Sequence, residues 1–263
     1  MRKFWYRFIY FILILIIVVC SIYLFYFWNS IAEAQKESDI LNTIEVNTSK
    51  IENNSNDENK ISESEERILK IKKLKEINKD IVGWLEIEGT DISYPVVQGK
   101  NNSYYMTHNY KKEKSRNGSI FLDKSYDWKI NSNNLLIYGH NLNNGKMFED
   151  LLKYKNKDYY EKHKIIRFTT DKEDSEYEIM SAFKSRLYYK TEKNVFRYYQ
   201  FINPKNKKQF NEYVKNSKKE SLYDTGVKAK YGDELITLST CSYHIEDGRF
   251  AVVGLKKVKK KEE

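Results

Sequence analysis

Eight short apolar runs punctuated by Gly and Asx residues fill residues 82–255 and set the tightest limit on what this chain can fold into. They lie at 84–87, 92–97, 119–122, 134–138, 165–168, 177–183, 234–238 and 250–255. Each has the length of a strand, and few long helical patterns separate them. That combination argues for a mainly β protein, a closed or nearly closed barrel, rather than for βαβ units. Two helical insertions fit between the runs: 146–154, and a longer one at 204–222 where Phe210, Tyr213 and Val214 form an apolar stripe. Ahead of the barrel, Ile68, Leu69, Ile71, Leu74 and Ile77 recur at near-helical spacing behind a Ser62-Glu63-Ser64-Glu65 start. An amphipathic helix therefore opens the folded domain. No internal repeat is present, so a single domain of roughly 180 to 200 residues accounts for the pattern.

The N-terminus obeys different physics. Residues 8–28 are 21 consecutive uncharged positions rich in Ile, Leu, Phe and Val, preceded by Arg2, Lys3 and Arg7. At about 1.5 Å per residue such a helix spans roughly 30 Å of hydrocarbon. The basic flank leaves residues 1–7 in the cytoplasm and puts everything after Trp28 outside, with Tyr23, Tyr26, Phe27 and Trp28 at the outer interface. A cleaved signal peptide is the competing reading, since Ala32-Glu33-Ala34 offers a small-residue site, but the apolar run is longer than a typical signal core. Cys20 follows bulky Ile17-Val18-Val19 where a lipid-attachment site needs small residues, and reads as an apolar membrane residue. Residues 29–61, rich in Asn, Glu, Ser and Lys, are a poor core builder and read as a flexible or partly helical stalk. The expected organisation is thus a cytoplasmic N-terminus (1–7), a single-pass membrane anchor (8–28), a stalk (29–61) and an extracytoplasmic folded domain (62–263).

The formal charge of +9 is spread along the chain, and three of the excess charges belong to the membrane flank. No basic face interleaved with aromatics points to nucleic acid. The lysines at 256–261 read as a solvated tail. A cationic exported surface instead suits an anionic cell envelope.

Chemistry concentrates near the C-terminus. Cys241 ends Thr237-Leu238-Ser239-Thr240-Cys241 and is the only cysteine outside the apolar N-terminal run, so the rest of the chain offers it no disulfide partner. A lone exported thiol beside an arginine is a candidate nucleophile. It attacks a carbonyl only as thiolate or with a base at hand. Of four histidines, His140 ends the run Leu136-Ile137-Tyr138-Gly139-His140, where a Gly frees the backbone and a rigid edge projects the imidazole into a cleft. His244, three residues after Cys241, is the local rival, while His108 and His163 lie in polar surroundings. Cys-x-x-His also forms half a zinc site, but the exported part has no second thiol. If 235–240 and 250–255 form a hairpin, Arg249 faces Cys241 across its mouth and can hydrogen-bond an oxygen gaining charge. Its competing reading is a surface salt bridge with Glu246 or Asp247.

These residues resemble those of the class B sortases, membrane-anchored cysteine transpeptidases of Gram-positive-type cell walls. The segment 237–241 matches the family's TLxTC signature, Ile137-Tyr138-Gly139-His140-Asn141 its histidine strand, and Arg249 its arginine. Weaker stretches agree in order: Val82-Gly83-Trp84-Leu85, Tyr94-Pro95-Val96-Val97-Gln98, Asn102-Ser103-Tyr104-Tyr105, Gly118-Ser119-Ile120-Phe121 and Met147-Phe148. The resemblance spans roughly 78–255. It implies a sortase-type closed eight-stranded β-barrel with an N-terminal helix and a long helix between strands 6 and 7. It implies that Cys241 attacks the threonine carbonyl of a C-terminal sorting signal, often of the Asn-Pro-x-Thr type, on a secreted protein. The thioacyl-enzyme is then resolved by an amine of a peptidoglycan precursor or cross-bridge. His140 is the implied acid and base, and Arg249 the implied oxyanion and substrate clamp. Ser239, Asn102 and Met106 are carried over as groove residues. No calcium-type acidic cluster is evident in the loops, so no metal requirement is expected, and no cofactor is expected either. One departure is Tyr243, at a position where some class B members have an acidic residue, so a Cys-His-Asp triad through that position has no support.

Two rivals carry different expectations. An exported cysteine peptidase of papain type places Cys before His, the reverse of the order here. A non-catalytic, membrane-anchored envelope-binding module treats Cys241 as a buried strand-end thiol and the aromatics, 15% of residues, as a glycan groove.

Overall fold

The computed structural model describes residues 2–52, 62–130, 133–142 and 145–258. The chain divides into two units, Met1–Asn54 and Ser55–Glu263. The first is one helix, α1 (Arg2–Glu52), which contains a segment, Trp5–Asn29, with mean hydropathy 3.0, long and apolar enough to cross a membrane. The Ala32-Glu33-Ala34 site and the stalk residues up to Glu52 lie within the same helix. The stalk positions 53–61 and the tail positions 259–263 are outside the described residues.

The second unit opens with α2 (Glu63–Ile77), and its start is set by a capping box. The Ser62 hydroxyl accepts from the Glu65 amide while the Glu65 carboxylate accepts from the Ser62 amide, satisfying two otherwise orphaned donors. Ile71 and Leu74 are its fully buried apolar residues, and the Lys70 ammonium lies 3.7 Å over the Trp84 ring.

All eight apolar runs become strands: β1 (Ile81–Glu86), β2 (Ser93–Val97), β3 (Ile120–Leu122), β4 (Asn134–Gly139), β5 (Ile165–Thr169), β6 (Asp174–Arg186), β7 (Leu235–Cys241) and β8 (Gly248–Lys256). They close a barrel in the order β1-β2-β3-β4-β7-β8-β6-β5. Closure leaves no unpaired edge, and its core is packed with residues such as Leu85, Val96, Leu136, Ile166, Phe168 and Leu238. Two neighbouring pairs, β2 with β3 and β4 with β7, run parallel. A parallel pair needs a long crossover. For β4 and β7 that crossover includes β5, β6 and the expected long helix, α4 (Lys207–Glu220), where Phe210 and Tyr213 are buried.

Two expectations are corrected. The helical insertion expected at 146–154 is present with different bounds: a 3-10 segment, Glu149–Lys155, followed by the short helix α3 (Lys157–Lys162). Met147 has φ +58° and pairs with Asn141 in an isolated bridge, so regular helix geometry cannot begin where the composition suggests. At Lys256 and Lys257 the basic run is not simply solvated either. The Lys256 ammonium lies 2.8 Å from both Glu173 and Glu234, and Lys257 pairs with Glu176 at 2.9 Å.

Candidate active site

The parallel register of β4 and β7 brings the two signature stretches together. Its last pair is Gly139 with Thr240, so one step further along the two chains stand His140 and Cys241, a hundred residues apart in sequence. On the other side of β7 the antiparallel β8 supplies the third group, with Cys241 paired directly with Arg249. Asn141 ties the ends together by donating from Nδ2 to the Cys241 carbonyl at 3.2 Å. The three side chains line one cleft of about 250 Å³, all of them half-buried.

Gly139 does not serve this geometry in the way its flexibility suggests. It keeps an ordinary strand conformation, and its role is close approach. A Cβ there would lie 2.4 Å from Ile120 Cδ1 and 2.7 Å from the Phe148 ring. The missing side chain lets the strand before His140 lie against β3 and the residue that precedes the 3-10 segment.

His140 Nε2 is 2.9 Å from the Met106 carbonyl. A carbonyl only accepts, so Nε2 carries hydrogen and the neutral ring keeps its lone pair on Nδ1. Arg249 Nη1 donates to the carbonyls of Gly248 at 2.9 Å and Asp247 at 3.3 Å. Among the described residues it forms no ion pair with Glu246 or Asp247, which disfavours the surface salt-bridge reading. Anchored through Nη1, the guanidinium keeps its Nε and Nη2 donors for the cleft.

The three groove candidates also line this cleft, in different ways. Met106 presents an exposed thioether side chain, and Ser239 is buried with its Oγ 2.7 Å from Tyr198 Oη. Asn102 is a wall residue whose amide is already committed: Nδ2 donates to Asp123 at 2.7 Å and Oδ1 accepts from the Lys124 amide at 2.8 Å. Tyr138 donates to the same Asp123 oxygen at 3.2 Å.

Sequence reasoning missed Tyr138, Leu187, Tyr198 and Tyr199, which also line the cleft. Tyr138 was within reach, because it stands two residues before His140 on a strand and shares its face. Tyr198 and Tyr199 sit in the irregular connection after β6, where no period marks them. Burial pushes the Tyr198 and Tyr138 phenols above their ordinary range, so both are neutral hydroxyls here.

The rival His244 lies on the β7–β8 loop outside the cleft, its Nδ1 3.0 Å from Ser242 Oγ. Among the described residues no group of three or more His, Cys, Asp or Glu is placed to hold a metal ion. A larger depression, about 860 Å³, contains none of these residues. It is lined by Arg67, Asp174, Glu176, Lys256 and neighbours whose charges pair with one another.

Comparison with known proteins points to one family. The family model described as the sortase domain matches residues 85–257. Sortase B of Listeria monocytogenes is 38% identical over 186 residues, covering 70% of this chain and 72% of that protein. The Staphylococcus aureus sortase B–substrate complex superposes with a TM-score of 0.71 at 29% identity, over 88% of this chain and all of that one. Clostridium perfringens sortase B gives 0.63 at 31% identity, over 71% of this chain and 99% of its own.

Proposed function

The chain belongs to the class B sortases, and on that footing we propose that Cys241 is its nucleophile, His140 its acid and base, and Arg249 its oxyanion clamp. The enzyme is a cysteine transpeptidase. It cleaves the sorting signal of a secreted protein and transfers that protein to a cell-wall amine. The observation that supports these roles is the convergence of His140, Cys241 and Arg249 on one cleft from three adjacent strand ends.

The chemistry follows from those groups. The Cys241 thiolate attacks the threonine carbonyl of the signal, forming a C–S bond and a tetrahedral oxyanion that the Arg249 fork can meet with charged donors. Collapse breaks the C–N bond, and His140 in its imidazolium form protonates the departing amine. The incoming amine then attacks the thioacyl carbon and gives its proton to His140, and the C–S bond breaks to return the thiolate. Hydrolysis uses the same acyl-enzyme with water as the acceptor. Asn102, Met106 and Ser239 fit as walls for the signal, Met106 by contact and the other two through the side chains they hold.

The finer organisation follows the sequence. Residues 1–7 are cytoplasmic, 8–28 cross the membrane, 29–61 form a stalk, and the catalytic domain (62–263) works outside. The basic flank Arg2, Lys3 and Arg7 and the apolar segment Trp5–Asn29 support this orientation.

The test is turnover of fluorogenic sorting-signal peptides by the full-length chain in detergent micelles, with an added primary amine. Wild type should form the amine-transfer product and Cys241→Ala none. His140→Gln and Arg249→Lys should each lose about a hundredfold or more in kcat/KM. Turnover that survives in Cys241→Ala would contradict the assignment.

A further inference from the structure

One wall of the cleft is formed by Leu187, Tyr198 and Tyr199, all on the connection between β6 and α4. That connection contains only a three-residue 3-10 turn, Tyr198–Gln200, so regular secondary structure does not hold it in place. It is fastened instead to the face of β7 that carries Cys241. Residues two apart on a strand share a face, and Thr237, Ser239 and Cys241 therefore stand in one row.

Ser239 meets Tyr198, as described above. Two residues earlier, Thr237 Oγ1 donates to Asn134 Oδ1 at 2.9 Å. A hydroxyl has one proton, so in the 2.8 Å bond between Thr237 Oγ1 and Tyr213 Oη the tyrosine is the donor. Asn134 carries the chain on to the wall segment. Its Nδ2 donates to the Phe201 carbonyl at 2.6 Å, and its backbone amide donates to that of Ile202 at 3.1 Å. The Phe201 ring stacks on Tyr213 with centroids 3.9 Å apart. Thr237, Asn134 and Tyr213 are all buried, and none of them lines the cleft.

We propose that Thr237, acting with Asn134 and Tyr213, is a positioning residue that fixes the Tyr198–Tyr199 wall against Cys241 and so sets affinity for the sorting signal without touching it. The inference rests on Cys241 being the nucleophile. The row thus carries two hydrogen-bonding posts and the thiol on one strand face.

The test compares Thr237→Val, which keeps the shape and removes the hydroxyl, with Thr237→Ser, which keeps the hydroxyl. Full-length protein in micelles is assayed with fluorogenic peptides bearing an Asn-Pro-x-Thr core. Alkylation of Cys241 by iodoacetamide is followed by peptide mass, which separates it from Cys20. Thr237→Val should raise KM about tenfold, because the buried Tyr213 and Asn134 groups lose their partner and the wall shifts to relieve them. Its kcat and its alkylation rate should stay within about twofold of wild type, and Thr237→Ser should restore KM. Tyr213→Phe, which retains the ring stack, should move KM in the same direction and carries the test if Thr237→Val fails to fold. Unchanged KM in Thr237→Val and Tyr213→Phe would overturn the inference. So would a joint loss of kcat, alkylation and melting temperature in Thr237→Val and Thr237→Ser alike, which marks a merely structural residue. Absence of turnover and of any adduct in wild type would instead overturn the reading of Cys241, and this inference with it.

Discussion

His244 stands three residues from Cys241 in sequence, yet strand geometry separates the two: the thiol shares the row of Thr237 and Ser239, while His244 bonds Ser242 beyond the end of the strand. Partial burial, with the nearby ammonium groups of Lys184 and Lys155, holds its pKa below the usual 6.5. Between that lowered value and 6.5 the unfolded chain binds more protons than the folded one. Any stability linked to this ring is therefore gained as pH rises and lost as it falls through the folded pKa. The ring is largely exposed, so the effect is small. His244→Gln should leave the pH–rate profile of peptide transfer above pH 6.5 unchanged. A displaced limb in that variant would bring His244 back as the acid or base. That Cys241, His140 and Arg249 share one cleft was legible because motif residues of rare types recur in fixed order. Asn141 is marked in the sequence only as part of a motif, since nothing local shows that its amide reaches the Cys241 carbonyl.

Strands were the most legible elements, since short apolar runs between Gly and Asx turns carry their own boundaries. Their direction was not legible, because alternation along β4 and β7 reads the same for parallel and antiparallel pairing. That direction matters, as only the parallel register brings His140 alongside Cys241. The helical insertion after β4 begins later than its composition suggests, because composition does not reveal the positive φ at Met147. Gly139 belongs to this level as well. Its absent Cβ sets how closely β4 lies on Ile120 and Phe148, so Gly139→Ala should destabilise the domain by about 1–3 kcal/mol through overpacking. It should also lower peptide turnover by displacing His140. Chemical denaturation and steady-state kinetics on the same sample check both, and a variant with wild-type stability would refute the close-packing role.

The second unit combines a closed barrel with a crossover that packs on the face of β7 carrying Cys241 and walls the cleft. Far from the cleft residues, ion pairs join α2 to β6 through Arg67 and Asp174, and β8 to the start of β7 through Lys256 and Glu234. The partly exposed Lys256 pair is worth little singly, whereas the Asp174 carboxylate is buried and also accepts from Thr169, so removing Arg67 would leave it short of partners. For the intact chain, the proposed orientation predicts that an external protease added to whole cells reaches the catalytic domain while a tag before Arg2 stays protected; the reverse pattern would invert the topology. The central claim is most directly tested by incubating the full-length enzyme with a sorting-signal peptide, without amine, and mapping the resulting mass increase. An adduct confined to Cys241, absent in Cys241→Ala and discharged onto an amine added afterwards, is the expected result. A turnover-competent enzyme that never carries the acyl group on Cys241, or whose adduct resists every amine and yields only to water, would contradict it.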